Sequence, residues 1–186
     1  EVQQFYTDRA NFSNNTNIAT ITLDAGAIAD AGALKTFHDN MRTLKAAAVT
    51  NVTNVTNISG TFAELNALIT LSDASTLTNF NGRNLIEDSG SSISVANANT
   101  LSGKTTGTVT ATLGTISLAD SAAITETGHA YTITLSDTSV DAGDLSTLDG
   151  KTTVDVNITN VTTLTGTFTE VQQFYTDRAN FSNNTN

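Results

Sequence analysis

Three aspartates close similar segments of the chain: Asp24 after Thr20-Ile-Thr-Leu23, Asp73 after Ile69-Thr-Leu-Ser72 and Asp137 after Thr132-Ile-Thr-Leu-Ser136. Carboxylates at the ends of neighbouring strands could share a Ca²⁺ ion, which takes its ligands from oxygen. Asp141, Asp144 and Asp149 follow closely on the third. Neither an EF-hand loop nor the glycine-rich nonapeptide of calcium-binding repeats accompanies them. Aspartate at such places also forms turns and caps helices, and that is the expected role here. Calcium is the alternative; no other cofactor is expected.

Threonine offers a second chemistry. Thr20/Thr22, Thr108/Thr110/Thr112 and Thr132/Thr134 alternate with Ile, Val, Ala or Leu and so fall on one face of their strands. A solvated strand face is the plain reading, because Thr favours strands. A flat grid of hydroxyls that orders ice, or a Thr/Asn face that binds carbohydrate, is the sharper alternative. The motif N-x-[S/T] recurs at Asn11, Asn14, Asn51, Asn54, Asn57, Asn157, Asn160, Asn180 and Asn183. It marks glycan acceptors, but asparagines stacked in turns also bond one another. Catalytic groups are few. The two histidines, His38 and His129, stand apart in the chain, and no Cys exists to act as nucleophile or thiolate ligand. Gly103-Lys-Thr-Thr106 and Gly150-Lys-Thr-Thr153 end like a phosphate-binding loop, lack its earlier Gly, and precede strands instead of helices. They are read as turns, and no enzyme is expected.

The elements that must position these residues come from a repeat. Glu1 to Asn17 returns letter for letter as Glu170 to Asn186, which gives a unit of 169 residues. The expected organisation is therefore 1–17 as the end of a preceding unit, 18–169 as the body, and 170–186 as the start of the next. Thr167-x-x-Glu170 has the form of a capping box, so Glu1 reads as lying inside a helix whose cap precedes it, and the chain as an excerpt of a longer protein. Shorter repeats lie within the unit. Gly60-Thr-Phe-Ala-Glu-Leu65 matches Gly166-Thr-Phe-Thr-Glu-Val171, and Leu101-Ser-Gly-Lys-Thr-Thr106 matches Leu148-Asp-Gly-Lys-Thr-Thr153.

Period-two, β-branched runs predict strands at 18–23, 93–95, 108–113, 131–135 and 153–158, with weaker ones at 49–58 and 68–71. Helical spacing joins Ala33, Leu34, Phe37, Met41 and Leu44, then Phe62, Leu65, Leu68 and Ile69, then Phe168, Val171, Phe174 and Tyr175. The three T-x-T-L-(S)-D segments divide the unit into three parts, and strands with their return segments make roughly seven turns of about 24 residues. The expected fold is a repeat solenoid, either a parallel β-solenoid or a leucine-rich-like α/β coil with short return helices.

Composition agrees with stacked layers. Proline is absent, where average usage of about 5% would give roughly nine, and its absence suits unbroken hydrogen-bond ladders. A net charge of −10 and a pI near 4.3 argue against nucleic acid or an anionic membrane as partner. No apolar run approaches the roughly 20 residues that span a bilayer, so no membrane insertion is expected.

Leu135 to Thr153 (LSDTSVDAGDLSTLDGKTT) and Val161 to Val171 (VTTLTGTFTEV) resemble the repeats of giant tandem-repeat secreted and surface proteins of bacteria, of a kind abundant in cyanobacteria. The resemblance implies an extracellular or cell-surface, structural or adhesive role with no catalytic residues. The expected function is a structural repeat module of an extracellular filament, sheath or adhesin stalk. Its expected partners are neighbouring copies of the same repeat, in tandem or stacked end to end.

Overall fold

The computed structural model describes residues 19–24 and 30–183. The first copy of the duplicated segment, with the helix expected around Glu1 and the Asn11 and Asn14 sequons, lies outside the described residues. The chain divides into two compact units, one formed by Glu1–Asp88 with Lys104–Gly107, the other by Ser89–Gly103 with Thr108–Asn186.

The first unit holds strand β1 (Thr20–Thr22), helix α1 (Ala31–Leu44), strands β2 (Val49–Asn51) and β3 (Asn57–Gly60), helix α2 (Phe62–Asp73), and strands β4 (Leu77–Thr78) and β5 (Asn84–Glu87). Asp30 starts α1 by accepting the Ala33 N–H at 2.6 Å. The helix buries Leu34, Phe37, His38 and Met41, the i, i+3, i+4, i+7 stripe of a core-facing helix. Thr61 and Glu64 close both arms of the capping box of α2, which buries Leu65, Leu68 and Ile69. β1 pairs with β2 and β2 with β4, while β3 pairs with β5 so that Ile58 lies beside Leu85, all in parallel.

The second unit holds α3 (Val95–Ser102), β6 (Val109–Ile116), α4 (Leu118–Ser121), β7 (Ala130–Leu135), β8 (Ser139–Asp141), α5 (Ala142–Asp149), β9 (Val156–Asn157), β10 (Thr163–Thr165), α6 (Phe168–Asp177), a 3₁₀ turn (Arg178–Asn180) and β11 (Phe181–Ser182). β6 alternates buried Val109, Ala111 and Leu113 with exposed Thr110 and Thr112. Its parallel pairing with β7 slips by one residue between Thr112 and Gly114, a bulge. β10 pairs with β8, and β11 with β9, also in parallel.

The expected solenoid is corrected by this arrangement. Among the described residues the fold is mixed α/β, with six helices and, within each unit, short strands that pair in parallel, among them the three-stranded β1-β2-β4 and the two-stranded β10-β8. The reason is visible in the segments on which the expectation rested. Thr20–Leu23 and Thr132–Leu135 lie in or beside strands, but Ile69-Thr-Leu-Ser-Asp73 is the last turn of α2, because the Thr61/Glu64 box starts a helix that runs through it. The strand expected at 68–71 is thus helix. The strand expected at 93–95 is absent for a similar reason: the Ser94 hydroxyl caps α3 by accepting the Asn97 N–H at 3.1 Å.

Each unit contains one copy of the same corner. In the first, Asp30-Ala-Gly32 opens α1 and packs on Gly60-Thr-Phe-Ala-Glu64 opening α2. A Cβ on Gly60 would stand 2.8 Å from the Ala31 methyl, which is fully buried and has nowhere to go. In the second, Asp141-Ala-Gly143 opens α5 and packs on Gly166-Thr-Phe-Thr-Glu170 opening α6, with Glu170 beside Gly143 as Glu64 is beside Gly32. Each glutamate caps its own helix and lies against the first turn of the preceding one, so a negative charge meets the positive ends of two helix dipoles.

Candidate functional site

Helices α4 and α5 and strand β8 line a cleft of about 340 Å³ in the second unit, with Asp137, Asp141, Asp144 and Lys151 as its charged residues and Leu118 and Val140 among its apolar ones. Most of its polar groups are spent on the fold. Asp137 accepts the Leu118 N–H at 2.7 Å, and Asp141 accepts those of Gly143 and Asp144 at 2.9 and 3.4 Å. The Lys151 ammonium donates to the Ile124 carbonyl at 3.0 Å. Asp144 is exposed. The cleft therefore offers a half-apolar, acidic depression without a nucleophile and base held against each other.

Of the three aspartates weighed for calcium, Asp73 and Asp137 make other contacts. Asp24 is exposed. Asp73 takes both contacts of the Lys104 ammonium, at 2.9 and 3.0 Å, on the surface. Asp137 accepts the first N–H of α4, whose own cap is Ser117. Among the described residues no three His, Cys, Asp or Glu side chains gather as metal ligands would. Asp149 accepts a hydrogen bond from Asn180 at 2.9 Å.

Both histidines are buried. His38 Nδ1 lies 3.0 Å from the Thr50 hydroxyl, and burial pulls its pKa down, with Asp39 opposing and Arg42 and Lys35 adding to the drop. His129 Nδ1 accepts the Val109 N–H at 3.1 Å, which requires a neutral ring with its proton on Nε2. Its pKa is likewise lowered by burial, against the pull of Glu126. Tyr131 lies beside it, ring centroids 5.5 Å apart, with its hydroxyl buried and its pKa raised by burial, against the pull of Ser102.

The two Gly-Lys-Thr-Thr segments are turns that do one job. Thr105 donates to the Arg83 carbonyl at 2.6 Å and accepts the N–H groups of Gly82 and Gly107 at 3.2 and 2.9 Å. Thr152 donates to the Tyr131 carbonyl at 2.8 Å and accepts from the N–H of Tyr131 and of Val154 at 3.0 and 3.2 Å. In each case one buried hydroxyl stands in for a missing strand and completes the ladder of its neighbour. Sequence reasoning found these segments as repeats but missed the hydroxyl; the doubled Gly-Lys-Thr-Thr was the available signal. It missed the Asp-Ala-Gly corner as well, although Asp30-Ala-Gly and Asp141-Ala-Gly stand in the sequence.

The threonine rows are solvated: Thr20, Thr22, Thr110, Thr112 and Thr132 are exposed, and only Thr112 and Thr132 are register partners before the bulge. Most sequon asparagines are engaged. Asn51 bonds Asn79 at 2.9 Å, Asn57 bonds Asn84 at 2.8 Å, Asn157 bonds Asn183 at 3.1 Å, and Asn160 donates to the Leu135 carbonyl at 2.7 Å. No helix among the described residues is long and apolar enough to cross a membrane. No protein-family model matches the chain, and neither does a curated protein or a solved structure.

Proposed function

We propose that this chain is a structural repeat module of an extracellular filament, sheath or adhesin stalk, non-catalytic, whose partners are further copies of itself. The duplication of Glu1–Asn17 as Glu170–Asn186 carries this reading. A catalytic domain has no use for a verbatim copy of its own edge, whereas a module in an array reuses the same junction at every boundary. The two equivalent corners and the two Gly-Lys-Thr-Thr hydroxyl bridges support it, because they are repeated scaffolding with no repeated reactive group. An acidic coat keeps such modules soluble and apart from one another's sides. The resemblance to giant bacterial surface repeats supports the extracellular location.

The reading frame around this segment tests the proposal. Several copies of the 169-residue unit on a secreted chain are expected; a single copy beside a catalytic domain overturns it. The rival reading, an ice- or carbohydrate-binding face, gains nothing from the bulge that breaks the threonine rows at Gly114.

A further inference from the structure

Helices α2 and α6 open with the same Gly-Thr-Phe-x-Glu box but have different fates. α2 buries three side chains and half-buries Phe62, whereas α6 buries none and leaves Phe168 82% exposed and Tyr175 63% exposed. Only three large apolar residues are exposed among the described residues, and α6 holds two of them. Beside it lies a depression of about 120 Å³ lined by Leu145, Val161, Leu164, Phe174 and Tyr175. A soluble surface rarely gathers aromatics this way without a partner.

Strand register identifies the partner. Among the described residues β1 and β10 each stand at the end of their sheets, and a strand in that place offers backbone groups on its outer side. Within the chain, paired strands lie between 19 positions apart (Gly114 with Ile133) and 29 apart (Thr20 with Val49). Counted through Glu170 as the second occurrence of Glu1, the next Thr20 follows Thr163 by 26 positions, inside that span. Thr163-Leu-Thr165 and Thr20-Ile-Thr22 are also alike in pattern. Charge agrees: α6 carries Glu170 and Asp177 and no cation, while α1 carries Lys35 and Arg42 against a single acid, Asp39. The exposed side of α1 includes Ala33, Thr36 and Thr43, small side chains that leave room for aromatic rings.

We infer that the β10 edge and α6 face of one copy take up the β1–α1 end of a second copy, with β10 and β1 pairing in parallel, head to tail. This rests on the module reading above and names the surfaces that meet.

Sedimentation velocity of the whole chain from about 5 to 500 μM tests it, with Phe168→Ser/Tyr175→Ser as the variant and zero-length carbodiimide cross-linking of ¹⁴N/¹⁵N-mixed copies. Dimers and longer species are expected, weakened at least about tenfold by the double variant, whose exposed positions should leave thermal unfolding unchanged. Cross-links should join Glu170 or Asp177 of one copy to Lys35 or Lys45 of another. A monomer throughout, association indifferent to the variant, or variant-sensitive association without those cross-links would overturn the inference. Were concatenated copies to form a linear array while separate copies stayed monomeric, this inference would fail and the module reading would stand.

Discussion

Replacing Thr152 by Val removes one oxygen and nothing else of size. That oxygen holds three backbone groups: the N–H and C=O of Tyr131 and the N–H of Val154. Tyr131 is fully buried, so its N–H would be left without water, at a cost of about 1–3 kcal/mol, and its carbonyl adds roughly 1 more. Val154 is 36% exposed, and water can replace its lost bond at little cost. The expected loss is about 3 kcal/mol, a large part of the roughly 5–15 kcal/mol that holds an ordinary domain together. Thr152→Ser keeps the oxygen and gives up one buried methyl, for about 1 kcal/mol. Urea unfolding followed by circular dichroism would measure both, and hydrogen exchange at the Tyr131 amide would locate the effect. Equal stability of the Val and Ser variants would refute the argument, since the methyl and not the oxygen would then be what matters. Thr105→Val should repeat the result in the first unit.

At Gly107, a Cβ would strike the carbonyl oxygen of Arg83 and stand 2.6 Å from its carbonyl carbon, so Gly107→Ala should cost at least about 2 kcal/mol in denaturant titration, and a neutral result would be incompatible with the turn described. Both histidines have folded-state pKa values below their ordinary one, so the unfolded chain binds protons first. Stability should be full above about pH 6.5 and fall as pH drops through it toward the folded values, by at most about 1.4 kcal/mol per pH unit per histidine. His129→Asn, whose carbonyl can still accept the Val109 N–H, should flatten that profile in pH-dependent urea titrations; an unchanged slope would remove His129 from the account. On the threonine face, Thr110→Lys should shift stability by no more than about 0.5 kcal/mol, whereas Ile133→Asp buries an unpaired charge and should prevent folding of its unit. Thermal hysteresis in the wild-type chain that Thr110→Lys abolishes would promote the ice-binding alternative.

Local rules were legible in the sequence wherever a residue acts on its own neighbourhood. Both capping boxes, Leu34, Phe37 and Met41 of the α1 stripe, the strand at 131–135 and the turn role of Gly-Lys-Thr-Thr follow from spacing alone, whereas Ala33, placed on that stripe, is exposed. What was not legible depends on which local signal wins or on partners far along the chain. Ile69-Thr-Leu-Ser-Asp73 carries a strand-like pattern, yet a helix already begun at Thr61 continues through it, since extending a helix is easier than starting one. Thr152 looks like any turn threonine until Tyr131, 21 residues earlier, is placed above it. Asparagines at 51, 57 and 157 match the glycan motif, and mutual bonding was the other reading; which asparagine each one meets, Asn79, Asn84 and Asn183, depends on partners 26 to 28 residues away. The aspartates at 73 and 137 read as turn or cap residues, with calcium as the alternative, but their partners were not legible: Asp73 meets Lys104 on the surface and Asp137 accepts the first N–H of α4.

The central claim is that copies of this chain are built to continue one another. Small-angle scattering from chains of one, two and three concatenated units measures this most directly. A three-unit chain has roughly 520 residues, and compact packing would give a radius of gyration near 24 Å. Three bodies of this size in a line give about 37 Å on the same scaling, with a maximum dimension that grows by a constant step per copy. The linear series is the expected result; a three-unit radius near the compact value would contradict end-to-end continuation.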